Sequence, residues 1–309
     1  MDFPQWKKNL KKEKFKKQKK GILFFLTTVF LVLFFASFFR FYSGIKNLKF
    51  LGQKRVNFVI NNQKIYLVSL VSGKEVVFLQ FPDDPEQKIK LTRGYGEYPP
   101  SAIFKLGELD HKGPQLLRET VQEYFAVPIE GVINLENSLD CSIEEKRCLA
   151  KIIFLGIKKK NKTDFSFPEL FYLWFKVEKT PQINFKTIKM KNLEPATIDS
   201  LMAKNLWDEG VNKENYAVFV LNSTGFSGLA NQGARFVTNL GGRVVRLGNS
   251  DEKDETLIVS RSSLADSYTV KIFKKIFQAR WEEGEIEGGR GDIGIYLGKD
   301  YWKKLNEKW

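Results

Sequence analysis

The chain has 309 residues, 43% of them apolar, with a formal net charge of +14, a length that suits a membrane anchor and about two domains. Nine lysines against Asp2 and Glu13 put half of the excess charge in Met1–Lys20, so the rest is only mildly basic and overall charge is no argument for nucleic-acid binding. The only histidine, His111, is remote in sequence from Cys141 and Cys148, which argues against a metal site.

Gly21–Phe39 reads GILFFLTTVFLVLFFASFF, without charge or proline. As a helix it spans about 29 Å, close to the hydrocarbon thickness of a bilayer. The run is longer than the apolar part of a secretory signal, and Arg40-Phe41-Tyr42 follow it with no small-residue cleavage site. An uncleaved single-pass anchor over 21–42 is predicted. The lysine-rich tail 1–20 stays cytoplasmic against anionic lipid, and Tyr42–Trp309 lies outside the cytoplasm at the plasma membrane.

After a polar linker, Ser43–Arg55, three apolar runs (Val56–Ile60, Lys64–Leu70, Glu75–Phe81) alternate with turn signals at Asn61-Asn62 and Ser72-Gly73, predicting a small antiparallel meander. Thr92–Pro100 reads as a loop. Gly113-Pro114 starts a helix with Leu116, Leu117, Val121 and Phe125 on one face, stopped at Ala126-Val127-Pro128, and Ile129–Leu135 is a strand. Ser142–Ile157 is read as a helix. If both cysteines lay on it they would be about 10 Å apart, so a disulfide requires Cys141 in a loop. Lys158–Lys162 is a solvated basic turn. Ser166 caps a helix through Lys179 whose rings Phe171, Tyr172, Trp174 and Phe175 are expected to be buried, a binding groove being the lesser reading. Ile183–Met190 is a strand and Thr197–Asp208 a helix.

The C-terminal third runs strand Tyr216–Leu221, turn Asn222–Gly228, helix to Leu240, strands Arg243–Leu247 and Thr256–Ser260, helix Ser262–Gln278, a Gly/Glu loop, and strand Asp292–Leu297. The order βαββαβ predicts a ferredoxin-like fold, so the whole chain is α/β behind one transmembrane helix. The turn carries candidate binding residues Asn222, Thr224, Gly225 and Gly228, since a glycine turn before a helix can hold an anion on free N–H groups. Its spacing matches no phosphate-loop pattern, and a Ser/Thr-capped βα turn explains it without a ligand. Adjacent Asp83 and Asp84 could bind a divalent cation, but acidic residues are ordinary in a turn after a strand. Arg290-Gly-Asp292 is a three-residue match that chance explains, and the glycosylation sequons at Asn161 and Asn222 matter only in a eukaryotic secretory route.

Val218-Phe-Val-Leu-Asn-Ser-Thr-Gly225, Gly228-Leu-Ala230, Val244–Asn249 and Ile293–Tyr301 together resemble the LytR C-terminal domain, with Ser223 where that family usually has glycine. The middle segment carries a fainter likeness to the LytR-CpsA-Psr (LCP) domain that commonly precedes it. Gln63–Leu70 with Val76–Asp84 is similar to D-S-I-M-V-x-S-V and L-S-I-P-R-D, and Gly113–Val121 with Val127–Asn134 is similar to the helix and strand that follow. LCP enzymes transfer a polyprenyl-linked glycopolymer to peptidoglycan, using arginines and a Mg²⁺-binding aspartate around the pyrophosphate. Here Gln63 stands at the family's first Asp and Asp83 at its Arg, and the K-I-N-A-A-Y segment is absent. The resemblance therefore implies a reduced LCP-like domain (56–190) and a LytR C-terminal-like domain (197–301), acting without catalysis or cofactor as a binding or scaffolding module for peptidoglycan or an envelope protein. The alternative is an active Mg²⁺-dependent phosphotransferase with relocated ligands Arg93, Arg118 and Arg147. A transcriptional role follows only from the family's name, and the predicted topology places the folded part away from DNA.

Overall fold

Short turns set most of the chain's course. A computed structural model describes residues 23, 25–37, 39–40, 42–45, 48–137, 139, 141–157, 162–286 and 291–309. The lysine-rich tail, the basic loop 158–161 with the Asn161 sequon, and Arg290 lie outside the described residues. The chain forms two units, Met1–Leu51 and Gly52–Trp309. In the first, helix α1 (Phe25–Ile45) is the one helix of the described residues long and apolar enough to cross a membrane, and side chains such as Phe25, Phe30 and Phe35 are exposed along it.

In the second unit, β1 (Val56–Asn62), β2 (Lys64–Val71) and β3 (Glu75–Gln80) form the predicted antiparallel meander, with Val56 opposite Leu70 and Leu70 opposite Val76. The first turn pivots on Gln63, at φ 35, while Asn61 and Asn62 remain in β1. Where a loop was expected, β4 (Ile89–Leu91) and β5 (Gly96–Tyr98) pair as a hairpin. Helix α2 (Pro100–Glu108) follows, with Pro100 in its first turn, where a missing N–H costs nothing. Then come α3 (Gly113–Phe125), β6 (Val132–Asn134), α4 (Lys146–Leu155), β7 (Lys162–Thr163), α5 (Phe167–Glu178) and β8 (Phe185–Lys189). The sheet order is β7-β6-β1-β2-β3-β8. Val59, Leu67, Val77 and Leu79 pack with α2, α3 and α6 (Pro195–Asn205), whereas Phe58 meets Phe165 and Phe78 meets Phe185. Burial on both faces is why β1–β3 read as nearly continuous apolar runs.

Cys141 lies outside α4 and Cys148 within it, and they form a disulfide across a Cα separation of 5.8 Å. Ser166 and Glu169 make a reciprocal capping box at the start of α5. The expected burial of the α5 rings is corrected by the structure. Leu170, Leu173 and Val177 fill the inward face, and Phe171 and Phe175 point outward with Trp174 half-buried. Residues at i, i+3 and i+7 already make the inward stripe, so the rings between them have no room there.

After α7 (Glu209–Glu214) come β9 (Ala217–Asn222), α8 (Leu229–Asn239), β10 (Arg243–Asn249), β11 (Leu257–Ser260), α9 (Tyr268–Phe277), β12 (Arg280–Glu283), β13 (Ile293–Leu297) and α10 (Lys299–Asn306). The α/β class is as predicted; the ferredoxin-like order is corrected. The sheet runs β10-β9-β13-β11-β12. β9 pairs directly with β10 and β11 with β12, both parallel, and β13 enters between the two βαβ units, parallel to β9 and antiparallel to β11. A ferredoxin-like sheet would leave its last strand at an edge. Ile293–Leu297 is buried throughout, as a central strand must be, and the largely exposed β10 takes an edge.

Polar contacts stitch the two sheets' surroundings into one body. Arg235 on α8 forms a two-pronged pair with Asp199 on α6 through Nε and Nη2, 2.8 Å at each contact; Nη2 also donates to the Tyr124 carbonyl, and Nη1 donates to Gln232 Oε1 at 2.9 Å. Asn239 Nδ2 donates to the Phe125 carbonyl at 3.1 Å, and Lys275 pairs with Glu130.

Candidate functional site

The turn between β9 and α8 is built by its own side chains. Asn222 Oδ1 accepts from Thr224 N at 3.1 Å and from Thr224 Oγ1 at 2.7 Å, while Asn222 Nδ2 donates to the Phe226 carbonyl at 2.7 Å. Phe226 N donates to Thr224 Oγ1 at 3.2 Å. Asn222 and Thr224 are therefore buried and committed to turn geometry. Gly225 is exposed, and a Cβ there would meet Glu252 Oε1 at 3.3 Å. Gly228, at φ 89, is the N-cap of α8 and offers no side-chain cap, a conformation that favours glycine.

Of these four residues, Gly228 lines a cavity of about 410 Å³ over the start of α8. Its polar wall includes Lys90, Glu123, Ser227, Gln232 and Arg235, and its aromatic wall Tyr124 and Trp302. Trp302 is held by stacking on Phe226, centroids 3.8 Å apart and 11° from parallel. Glu123 is only 6% exposed. Its Oε2 accepts from Tyr301 Oη at 2.5 Å and Gln232 Nε2 at 3.5 Å. Oε1 accepts no hydrogen bond and lies 3.5 Å from Lys304 Nζ. Burial, reinforced by the Glu123 charge, holds the Tyr301 phenol well above its ordinary range, and burial likewise raises Tyr124. The volume falls within the range of small-molecule sites, and flat rings beside fixed donors and acceptors suit a ligand with one apolar face and a hydroxylated rim.

A second cavity, about 550 Å³, opens beside the β2 start and the β3 end, with Gln63, Lys64, Asp83, Asp84, Lys105 and Glu136 among its lining residues. Asp83 pairs with Lys64 at 2.8 Å, and the bond to Asp83 raises the Lys64 pKa. Asp84 turns away to accept from Glu86 N at 2.9 Å. The two carboxylates thus have separate partners, and among the described residues no group of three His, Cys, Asp or Glu side chains could hold a metal. The arginines considered for catalysis sit elsewhere. Arg93 pairs with Glu119 at 2.8 Å beneath the Trp309 ring. Arg118 pairs with Asp164 at 2.7 Å. Arg147 is exposed on the first turn of α4. Among the described residues, no arginine lines this cavity.

Of the residues that line the cavity over α8, the sequence singles out Gly228 and not Glu123, Gln232, Arg235 or Trp302. They come from α3, α8 and α10, and no local spacing links them. The only sequence cue was the i, i+3 pair Gln232 and Arg235 on one face of α8.

The fold is mixed α/β, and sequence comparison is specific for its C-terminal part. Residues 215–301 match the model of the family described as LytR cell envelope-related transcriptional attenuator, so the LytR C-terminal resemblance holds for the segment from the end of α7 into α10. No curated protein matches the chain. Solved structures similar to it include the Lin1025 protein from Listeria innocua, 10% identical, covering 45% of this chain and 84% of that one at a TM-score of 0.32. The transcriptional regulator yvhJ from Bacillus subtilis is 14% identical, covering 45% and 83% at 0.32. A structure described as TagT bound to LI-WTA is 13% identical, covering 45% and 79% at 0.31.

Proposed function

We propose that this is a plasma-membrane protein of the bacterial cell envelope that binds wall glycan without catalysis. Phe25–Ile45 is its single-pass anchor, the N-terminal tail is cytoplasmic, and the folded unit lies outside. A reduced LCP-like module (56–190) and the LytR C-terminal-like module (197–301) share the cavity over α8. The observation that carries the reading is that cavity's chemistry: Trp302 and Tyr124 supply ring faces, and Gln232, Glu123 and Ser227 supply polar contacts, a combination suited to a sugar. The family match supports the envelope setting.

The phosphotransferase reading has less support. Asp83 and Asp84 line the cavity beside β2 and β3, and neither Arg93, Arg118 nor Arg147 reaches it. A carboxylate facing a pyrophosphate would repel it.

The test is co-sedimentation of the detergent-solubilised full chain with isolated cell wall. Ser227 is exposed at the cavity and is not part of the core, so Ser227→Trp fills the cavity without touching the fold. Wall binding by the parent chain that falls about tenfold in Ser227→Trp is the expected result, a change of ~1.4 kcal/mol. Equal pelleting of both, or pelleting no greater than a control protein, rejects glycan binding at this site and leaves an envelope protein as the partner.

A further inference from the structure

We infer that a cavity at the entrance to β1 binds the phosphate group of an anionic lipid. It holds about 350 Å³, and Lys54, Arg55, Lys74, Glu75, Trp207 and Glu209 are among its lining residues, a size that suits a headgroup. Its walls are fixed from behind. Arg55, a buried residue, donates through Nε to the Trp207 carbonyl at 3.0 Å, through Nη1 to Ser69 Oγ at 2.8 Å and through Nη2 to Glu75 Oε1 at 2.7 Å. Lys54 N donates to Tyr268 Oη at 3.1 Å, and that hydroxyl donates to Asp208 Oδ2 at 2.8 Å. Lys74 pairs with Glu209 at 2.5 Å. Both carboxylates of the cavity are therefore taken, and among the described residues Lys54 makes no ion pair. Three cations stand against two carboxylates.

The positive surplus extends past the rim. Lys176 on α5 is 8% exposed, makes no ion pair among the described residues and has the Tyr172 ring 5.0 Å away. Burial lowers its pKa and the Lys54 charge lowers it further, so the two ammonium groups sense each other. The Glu209 pKa is lowered first by its bond to Lys74, and then by Lys54 and Lys213 as well. Like charges held together without a counterion destabilise one another, and a bound anion relieves them. Phosphate is an anion that lysine meets as a point charge with strong hydrogen bonds.

The tether selects a lipid as the source. α1 ends at Ile45 and Lys54 is nine residues further on, a stretch that reaches at most about 32 Å. Lys54 therefore stays near the membrane surface. The Trp207 ring, 40% exposed at the cavity, has the amphipathic character of an interfacial side chain. This inference rests on the anchor reading of Phe25–Ile45.

The experiment places the full chain in nanodiscs of phosphatidylcholine or phosphatidylglycerol and measures acylation of Lys54 by an amine reagent, using peptide mass spectrometry. A bound phosphate covers the amine, so labelling of Lys54 should fall about fivefold from the first lipid to the second, relative to Lys303, which is exposed on α10. Lys74→Glu, at an exposed side chain, turns the cavity's surplus negative. Its melting curve stays close to the parent's, because an exposed ion pair contributes little, and its Lys54 labelling should be the same in both lipids. Protection of Lys54 that persists in Lys74→Glu overturns the proposal, since the charge of the bilayer as a whole would produce it. Inorganic phosphate added to the phosphatidylcholine discs tests the source: protection as strong as that in phosphatidylglycerol assigns the site to soluble phosphate and overturns the lipid. A chain that elutes apart from the discs overturns the anchor reading and the lipid source with it. A chain retained by them, with Lys54 equally labelled in the two lipids, overturns the proposal alone.

Discussion

The two sheets are built alike, strands with helices laid across them, yet they use their polar residues in opposite ways. Around the C-terminal sheet the recognisable motif residues are turned inward as structure. Asn222 and Thr224 close a turn, Asp300 accepts from Thr256 N at 3.0 Å and Thr256 Oγ1 at 2.6 Å, and Tyr301 is buried on Glu123. Around the N-terminal sheet Gln63, Lys64, Asp83 and Asp84 line an open cavity. The contrast teaches that one chain can commit polar residues to a domain's shape at one sheet and leave them facing a cavity at the other.

The comparison can be broken at its most buried point. Glu123→Ala removes the partner of Tyr301 and Lys304, both of which are buried. It should cost about 3–5 kcal/mol in urea unfolding; a loss below 1 kcal/mol would show that the inward network is not structural. Gly298→Ala tests the same idea in the backbone. A Cβ there would lie 2.5 Å from the Glu255 carbonyl carbon, with no side chain able to yield, and should cost about 3 kcal/mol in the same assay. On the other sheet, paired Cys141→Ser/Cys148→Ser removes a bridge across seven residues, with an expected loss of about 2 kcal/mol in the melting curve. Ser227→Trp sharpens the contrast from the binding side, changing stability by less than about 0.5 kcal/mol while wall binding falls.

Tyr301 and Tyr268 both titrate above their ordinary 10.0 in the folded chain, chiefly through burial. A raised folded pKa means that their contribution is complete below pH 10 and is lost as pH rises from there, because the unfolded chain ionises first. The unfolding midpoint should decline above about pH 10, and Tyr301→Phe should flatten the decline. An identical slope in Tyr301→Phe would remove Tyr301 from the account.

Elements with a strong period were legible in the sequence. The β1–β3 meander, α3, the Ser166–Glu169 cap and the β9–α8–β10 unit follow from apolar spacing and turn residues. Short or charged elements were not. β12 reads Arg-Trp-Glu-Glu, four residues without alternation, and its omission led to the wrong strand order. Pro99-Pro100 looked like the end of a loop and proves to start α2. The rings of α5 were misplaced because composition says that a residue is apolar but not which side the core has already filled. For the cavity over α8, only the glycine was readable, since a positive φ leaves a mark in sequence. Glu123, Gln232 and Trp302 converge through tertiary packing, which no local pattern encodes.

The contact between Tyr301 and Glu123 also bears on how this protein can be cut and how it can evolve. The tyrosine closes the segment that defines the C-terminal family, but its acceptor belongs to α3, 178 positions earlier in the chain. Excising 215–309 would leave a phenol and the Lys304 amine without their counterpart, so the family domain here behaves as a graft whose root is in the neighbouring sheet. Exchanging it for a relative's copy should require an acid in α3 to travel with it.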